Sequence, residues 1–215
     1  MSLQQDIKDL QKEMMLSIPA DVLTTMQDET VKLIASGIAA QAKNIGDHAP
    51  AFNLENSRGE RVSMQDFLQQ GVLVVNFYRG AWCPYCNLEL KAWDHVLPAL
   101  NKLGANLVSI TPNTKEKSSA LLQENPFAFD ILWDCDNQIA KNYGLVFTLS
   151  ETLRSIYDGF GIHLPEFDGN DRYELPMPAT YVIDSDGSIL HAFVDADYTK
   201  RIDPQDILKL LQQRL

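Results

Sequence analysis

The sequence predicts an α/β protein with a central mixed β-sheet flanked by helices, preceded by a helical N-terminal extension. Three observations predict it. The apolar run "VLVVNFYR" at Val72 to Arg79 is followed by a long helical pattern and then by a second apolar run, "ANLVSI". That strand, helix, strand order is a right-handed crossover, which lays its two strands parallel. Near the end, "ATYVIDSDGSILHAF" alternates on both sides of Asp184-Ser185-Asp186-Gly187, the signature of an antiparallel hairpin. Before residue 42, by contrast, only helical periodicity is present.

Taken in order, Leu3, Ile7, Leu10 and Met14, then Val31, Ile34, Ala35 and Ile38, mark two helical faces, with Ser17 to Pro19 as a stop and restart. Gly46 and Pro50 end this extension, so the expected division is 1–44 for the extension and 45–215 for the main domain. Ser57-Arg58-Gly59 reads as a hairpin turn. After the first crossover strand, Leu88, Trp93, Val96, Leu97, Leu100 and Leu103 line one helix face that Gly104 closes. "TKEKSSALLQEN" is a further helix, "FDILWD" a third strand, and "NQIAKNYG" a short helix ended by Gly144. Residues 146–175, with scattered Gly and Pro, are expected to be an ordered insertion of undefined secondary structure. Asp203 as cap and Pro204 as first residue open a last helix whose packing face is Ile207, Leu208, Leu211 and Leu215.

The chain of 215 residues is 45% hydrophobic and 22% charged, the composition of an ordinary globular protein. Its 29 acidic residues outnumber 18 basic ones, which argues against nucleic-acid binding, because that affinity comes from Lys and Arg displacing counterions. No 18-residue apolar run and no basic leader followed by an apolar stretch occurs, so neither a membrane partner nor export is expected, and the expected location is cytoplasmic. Three cysteines are too few for a disulfide scaffold at this length.

Two of them stand in "RGAWCPYCNLEL". With Pro84 suited to the first helical position, Cys83 becomes the N-cap and Cys86 lies in the first turn on the same side. Free N–H groups and the helix dipole favour an anion there, and thiols so placed, or in Cys-x-x-Cys pairs, are held below their ordinary pKa of about 8.5. The pair can be a redox couple, half of a metal site, or two small hydrophobes. A closed zinc site needs four ligands, and neither Cys135 nor the histidines stand at a spacing that supplies them. Nothing in the sequence calls for a metal or an organic cofactor. The N-cap position makes Cys83 the more accessible sulfur.

"WCPYC" is similar to the active-site sequence of thioredoxins and glutaredoxins. "APAFNLENSRGERVSM", "VLVVNFYRGAWCPYC", "AKNYGL" and "ATYVIDSDGSIL" together resemble peroxiredoxins of the alkyl hydroperoxide reductase and thiol-specific antioxidant family, over about Ile45 to Leu215. The resemblance implies a thioredoxin fold and a thiol-based antioxidant activity. That activity is peroxide reduction or, alternatively, thiol–disulfide exchange, with a thioredoxin- or glutathione-type reductant and a homodimer as candidate partner state. Laid on Phe77 and Tyr78, the family pattern puts its peroxide-attacking cysteine at Cys86, whereas thioredoxin logic makes Cys83 the nucleophile. It also puts Arg79 in place of a proline, Cys83 in place of a Thr or Ser, and Pro178 in place of an anion-stabilising arginine, so a guanidinium is expected to be missing.

By the same resemblance Met177-Pro178 is expected to be a cis bond facing the cysteines. Arg79 is either a substitute charge or a solvated loop arginine. Tyr78, Trp82, Pro84 and Tyr85 are expected to wall the pocket. Cys135 is either a resolving thiol or a filler, and His95 and His191 have no evident partner.

Overall fold

The computed structural model describes residues 2–213. The extension forms two helices, α1 (Leu3–Ser17) and α2 (Ala20–Ala35), separated by Ile18 and Pro19 as the restart at proline predicts. α1 buries Leu3 and Ile7 against the main body. α2 departs from expectation: Val31 is 56% and Ile34 46% exposed, and the residue it buries is Met26. It rests on the 146–175 segment instead of the sheet, so a different stripe faces inward.

The strands are β1 (Asn53–Asn56), β2 (Arg61–Ser63), β3 (Val72–Phe77), β4 (Ala105–Thr111), β5 (Asp130–Trp133), β6 (Val146–Thr148), β7 (Glu174–Pro176), β8 (Ala179–Ile183) and β9 (Ile189–Val194). Seven form one mixed sheet in the order β2-β1-β5-β4-β3-β8-β9. β3 is parallel to β4 and antiparallel to β8, so the crossover and the hairpin meet at β3. β3 is flanked on both sides and reads as a nearly continuous apolar run for that reason.

The remaining helices are α3 (Met64–Leu68), α4 (Pro84–Lys102), α5 (Lys115–Glu124), α6 (Gln138–Asn142), α7 (Glu151–Gly159), α8 (Leu164–Asp168) and α9 (Pro204–Gln212). Strand alternation divides the core into two layers. Val74, Leu107, Ile131 and Val182 join α1, α4 and α9 on one face, while Leu73, Val75, Phe77, Val108 and Ile183 join α3 and α6 on the other. α9 starts at Asp203 and Pro204 and buries Ile207, Leu208 and Leu211; Leu215 lies outside the described residues.

Residues 146–175, undefined in the sequence reading, hold α7 and α8 between β6 and β7, which pair as a separate antiparallel ribbon. Met26 of α2, Leu149, Tyr157, Leu164 and Leu175 form a third apolar cluster beneath it. This places α2 and α7 beside the C-terminal end of β3, from which the Cys-x-x-Cys segment emerges.

Candidate active site

Beyond Phe77 the chain leaves β3 through Tyr78, Arg79, Gly80, Ala81 and Trp82, then enters α4 with Cys83 as N-cap and Pro84 at the first helical position. The turn is pinned by its own backbone: Cys83 N–H donates to the Gly80 carbonyl at 3.1 Å, and Asn87 Nδ2 donates to the Ala81 carbonyl at 2.9 Å. Cys83 and Cys86 therefore share the first turn, and both are free thiols.

Both sulfurs are fully buried, which overturns the expectation that the N-cap position leaves Cys83 the more accessible. The cause is the packing of Arg79 and the rings around it. The guanidinium of Arg79 lies 4.9 Å from the Trp82 ring centroid and 4.2 Å from that of Tyr198. Its Nη1 donates to the Tyr157 hydroxyl at 2.9 Å and its Nη2 to Cys83 Sγ at 3.1 Å. Arg79 is only 3% exposed, so it is no solvated loop residue.

A second guanidinium, which the sequence reading missed, stands at the other sulfur. Arg201 Nη2 donates to Cys86 Sγ at 3.4 Å, and its Nε pairs with Glu89 Oε2 at 2.6 Å. Both partners of this ion pair are buried. Further donors of Arg201 bond the carbonyls of Tyr198 and Lys200, and Gln4 Nε2 of α1 donates to the Arg201 carbonyl at 2.8 Å. The guanidinium expected to be lost at Pro178 is thus supplied twice over, from the loop after β3 and from the segment before α9.

These charges divide the two thiols. Burial opposes ionisation of Cys83, but the hydrogen bond from Cys86 and the charges of Arg79 and Arg201 outweigh it and hold Cys83 well below the ordinary thiol range. Burial, followed by the hydrogen bond and charge of Cys83, pushes Cys86 well above it. The arrangement thus favours ionisation of Cys83 over that of Cys86. Guanidinium groups beside both sulfurs repel a cation, so the half-site reading for a metal loses its basis.

Glu89, one turn beyond Cys86, is raised to about 7 by burial against the opposing charge of Arg201. A cavity of about 250 Å³ reaches Arg79, with Leu33 of α2, Phe147, Leu153, Tyr157, Pro178 and Tyr198 among its walls. Apolar and aromatic side chains share the approach to Arg79 with Glu29, Lys32 and several hydroxyl groups.

Of the residues singled out beforehand, Tyr78, Arg79, Cys83, Tyr85 and Cys86 are buried together, and Trp82 packs on Tyr157 with ring centroids 5.3 Å apart. Pro84 is exposed and caps the helix without facing the cavity. Pro178 is buried and lines the cavity, but the Met177-Pro178 bond is trans, contrary to expectation. The trans form is the intrinsically favoured one, and this proline simply links β7 to β8. Cys135 is exposed beyond β5, and burial together with Asp136 and Asp134 raises its thiol, so it has none of the activation that Cys83 has. His95 is exposed and His191 half-buried.

Glu89 went unnamed in the sequence reading, though its place three residues after Cys86 on the same helical face made it legible. Arg201 and Tyr198 were not, being more than a hundred residues from the cysteines in sequence.

The family model described as "AhpC/TSA family" matches residues 45–192. Peroxiredoxin Bcp of Escherichia coli is 32% identical over 150 residues, 70% of this chain and 85% of that protein. The chain belongs to the AhpC/TSA family. A more distant relative is the thiol-disulfide oxidoreductase ResA of Bacillus thuringiensis, 21% identical over 168 residues, 74% of this chain and 79% of that protein. Among solved structures, peroxidoxin BcpB of Mycobacterium tuberculosis superposes with a TM-score of 0.62 at 20% identity, covering 79% of this chain and 97% of the other. The fold is accordingly the thioredoxin fold in its peroxiredoxin form, and the chain is an enzyme of the thiol-dependent peroxidase class. The family match starts at residue 45, so α1 and α2 lie outside it.

Proposed function

We propose that the protein reduces peroxides through the Cys83 and Cys86 pair, with Cys83 attacking first. The observation that carries this is the buried Cys83 sulfur with Arg79 Nη2 at 3.1 Å. A peroxide entering from the cavity meets Arg79, which can hold an oxygen while the Cys83 thiolate attacks the other. The sulfur–oxygen bond forms, the O–O bond breaks, and the departing alkoxide or hydroxide takes a proton to leave as alcohol or water. Cys83 is then a sulfenic acid. Cys86 attacks that sulfur, its proton goes to the departing hydroxide, and water leaves as the Cys83–Cys86 disulfide forms. A thioredoxin- or glutathione-type dithiol or thiol, becoming oxidised itself, restores the pair.

Thiol–disulfide exchange is the second reading, favoured by the Cys-x-x-Cys at a helix N-terminus and by the likeness to ResA. Complete burial of both sulfurs weighs against a protein disulfide as the first oxidant, since a small molecule needs far less room. Residues 1–44 are read as an extension to a catalytic domain at 45–215, in a reducing, cytoplasmic setting that keeps the thiols available for each cycle. Stopped-flow oxidation of the reduced protein tests the proposal: hydrogen peroxide or cumene hydroperoxide is expected to oxidise it much faster than glutathione disulfide. The reverse order would establish the exchange reading instead.

A further inference from the structure

We propose that Asn113 and Asp168 are positioning residues that hold the turn carrying Arg79 and Cys83 in its reactive shape, acting through the backbone of Ala81. Asn113 follows β4 and is fully buried. Its Oδ1 accepts from Ala81 N–H at 2.7 Å, and its Nδ2 donates to Asp168 Oδ1 at 2.7 Å. Asp168 ends α8, inside the 146–175 insertion, and is itself buried.

The pairing has a directional logic. A primary amide offers an acceptor on one side and donors on the other, so a flipped Asn113 would turn its NH₂ on the Ala81 N–H. When ionised, Asp168 on the far side accepts but does not donate, and its hold on the Asn113 NH₂ fixes which way the amide points. Burial with a single amide donor leaves Asp168 raised to about 7, a carboxyl kept in an unfavourable place.

Gly80 is an independent sign of the same contact: a Cβ there would lie 2.7 Å from Asn113 Oδ1 and 2.8 Å from its Nδ2, and would also collide with Trp82 Nε1. Glycine lets the turn rest directly on the amide. Because the Gly80 carbonyl accepts from Cys83 N–H and the Ala81 carbonyl from Asn87, a turn released from Asn113 shifts both Arg79 and the start of α4. α8 is tied to the same place by Thr114 N–H donating to the Phe167 carbonyl at 2.8 Å. The insertion thus reaches the backbone of Ala81, two residues before Cys83, through two hydrogen bonds.

This inference rests on Cys83 being the reactive sulfur, and the test separates the two claims. Asn113→Asp sets two buried carboxyl groups face to face, which must repel or share a proton where the amide had donated. The exchange Asn113→Asp with Asp168→Asn restores a donor opposite an acceptor and keeps an acceptor for Ala81. The readouts are peroxide consumption, the pH midpoint of Cys83 alkylation by iodoacetamide followed by peptide mapping, and thermal unfolding.

Because misplacement by about 1 Å costs up to about a hundredfold in rate, the single variant is expected to lose at least about tenfold and to move the Cys83 midpoint upward. The exchange is expected to restore both. An exchange variant no better than the single one, or variants that lower only the melting temperature, would overturn the proposal. Should Asn113→Asp fail to fold, Asp168→Asn alone, which leaves the amide orientation unfixed, is expected to shift the midpoint the same way; an unmoved midpoint overturns the proposal. A wild-type protein inert to peroxide would instead sink the reading of the site's function.

Discussion

Arg79 Nη2 stands 3.1 Å from Cys83 Sγ while Nη1 of the same guanidinium is held by the Tyr157 hydroxyl at 2.9 Å. One arginine therefore joins the Cys83 sulfur to α7, with Trp82 and Tyr198 against its faces. The planar fork uses two separate donors at once, which a lysine cannot reproduce.

Replacing Arg79 with Met is expected to keep the fold while removing the charge that stabilises the Cys83 thiolate. Removing one such donor costs about a hundredfold or more in rate at comparable sites, and Arg79→Lys is expected to recover only part of it. The iodoacetamide rate of Cys83 against pH checks the cause, since its midpoint should rise toward the ordinary thiol value. An unchanged midpoint with a lowered rate would mean that Arg79 acts on the peroxide alone.

Cys83 and Cys86 part company in the single variants. Cys86→Ser is expected to react once with peroxide and to accumulate a sulfenic acid on Cys83, trapped by dimedone and located by mass spectrometry. Cys83→Ser is expected to react slowly, because burial still opposes ionisation of the remaining Cys86 thiol, even with the neighbouring thiolate removed. The wild-type protein should form a Cys83–Cys86 disulfide after one equivalent of peroxide. Rapid oxidation of Cys83→Ser would return the attacking role to Cys86, where the family alignment puts it.

What made the fold legible was local. The crossover through α4, the hairpin at Asp184 to Gly187 and the cap at Asp203 are each written in consecutive residues, so periodicity and turn chemistry reveal them. The helix start at Cys83 and Pro84 was legible for the same reason. Arg201 was not, because its approach to Cys86 depends on how β9 and α9 lie against α4, a tertiary arrangement. Burial of Cys83 was hidden likewise, since Tyr198 and Tyr157 arrive from distant segments. Val31 and Ile34 misled because a helical apolar stripe shows that a face exists, while Met26 shows which face the 146–175 insertion covers.

Glu89 gives a pH signature. Its folded value of about 7 lies above its ordinary 4.5, so the native protein retains a proton that the unfolded chain releases. That contribution to stability is full below about pH 4.5 and is lost as pH rises through about 7. Asp168 acts in the same direction, whereas the Cys83 thiolate, held below its unfolded value, acts in the opposite one. The useful quantity is therefore the difference between the wild type and Glu89→Gln. That difference is expected to shrink from pH 5 to pH 8 in urea titrations. Parallel pH curves for the two proteins would show that Glu89 is ionised throughout.

The extension is expected to be part of the active-site support, although it lies outside the residues that the family match covers. Leu3 and Ile7 are 2% and 5% exposed and belong to the same apolar cluster as Cys83, Cys86 and Trp93. Gln4, on the same turn of α1, holds the carbonyl of Arg201. Ile7→Ala should thus destabilise by about 2 to 4 kcal/mol, seen as a lower urea midpoint at unchanged slope, because it opens a cavity beneath α4. Gln4→Ala removes only the tether, so it should cost about 1 kcal/mol or less while slowing disulfide formation after peroxide attack, the step in which Arg201 faces the Cys86 sulfur. Removing residues 1–42 should combine both effects and open the cavity by taking away the wall that Leu33 supplies. Unchanged melting and an unchanged rate of disulfide closure in the truncated protein would mean that α1 and α2 merely rest on a catalytic domain complete without them.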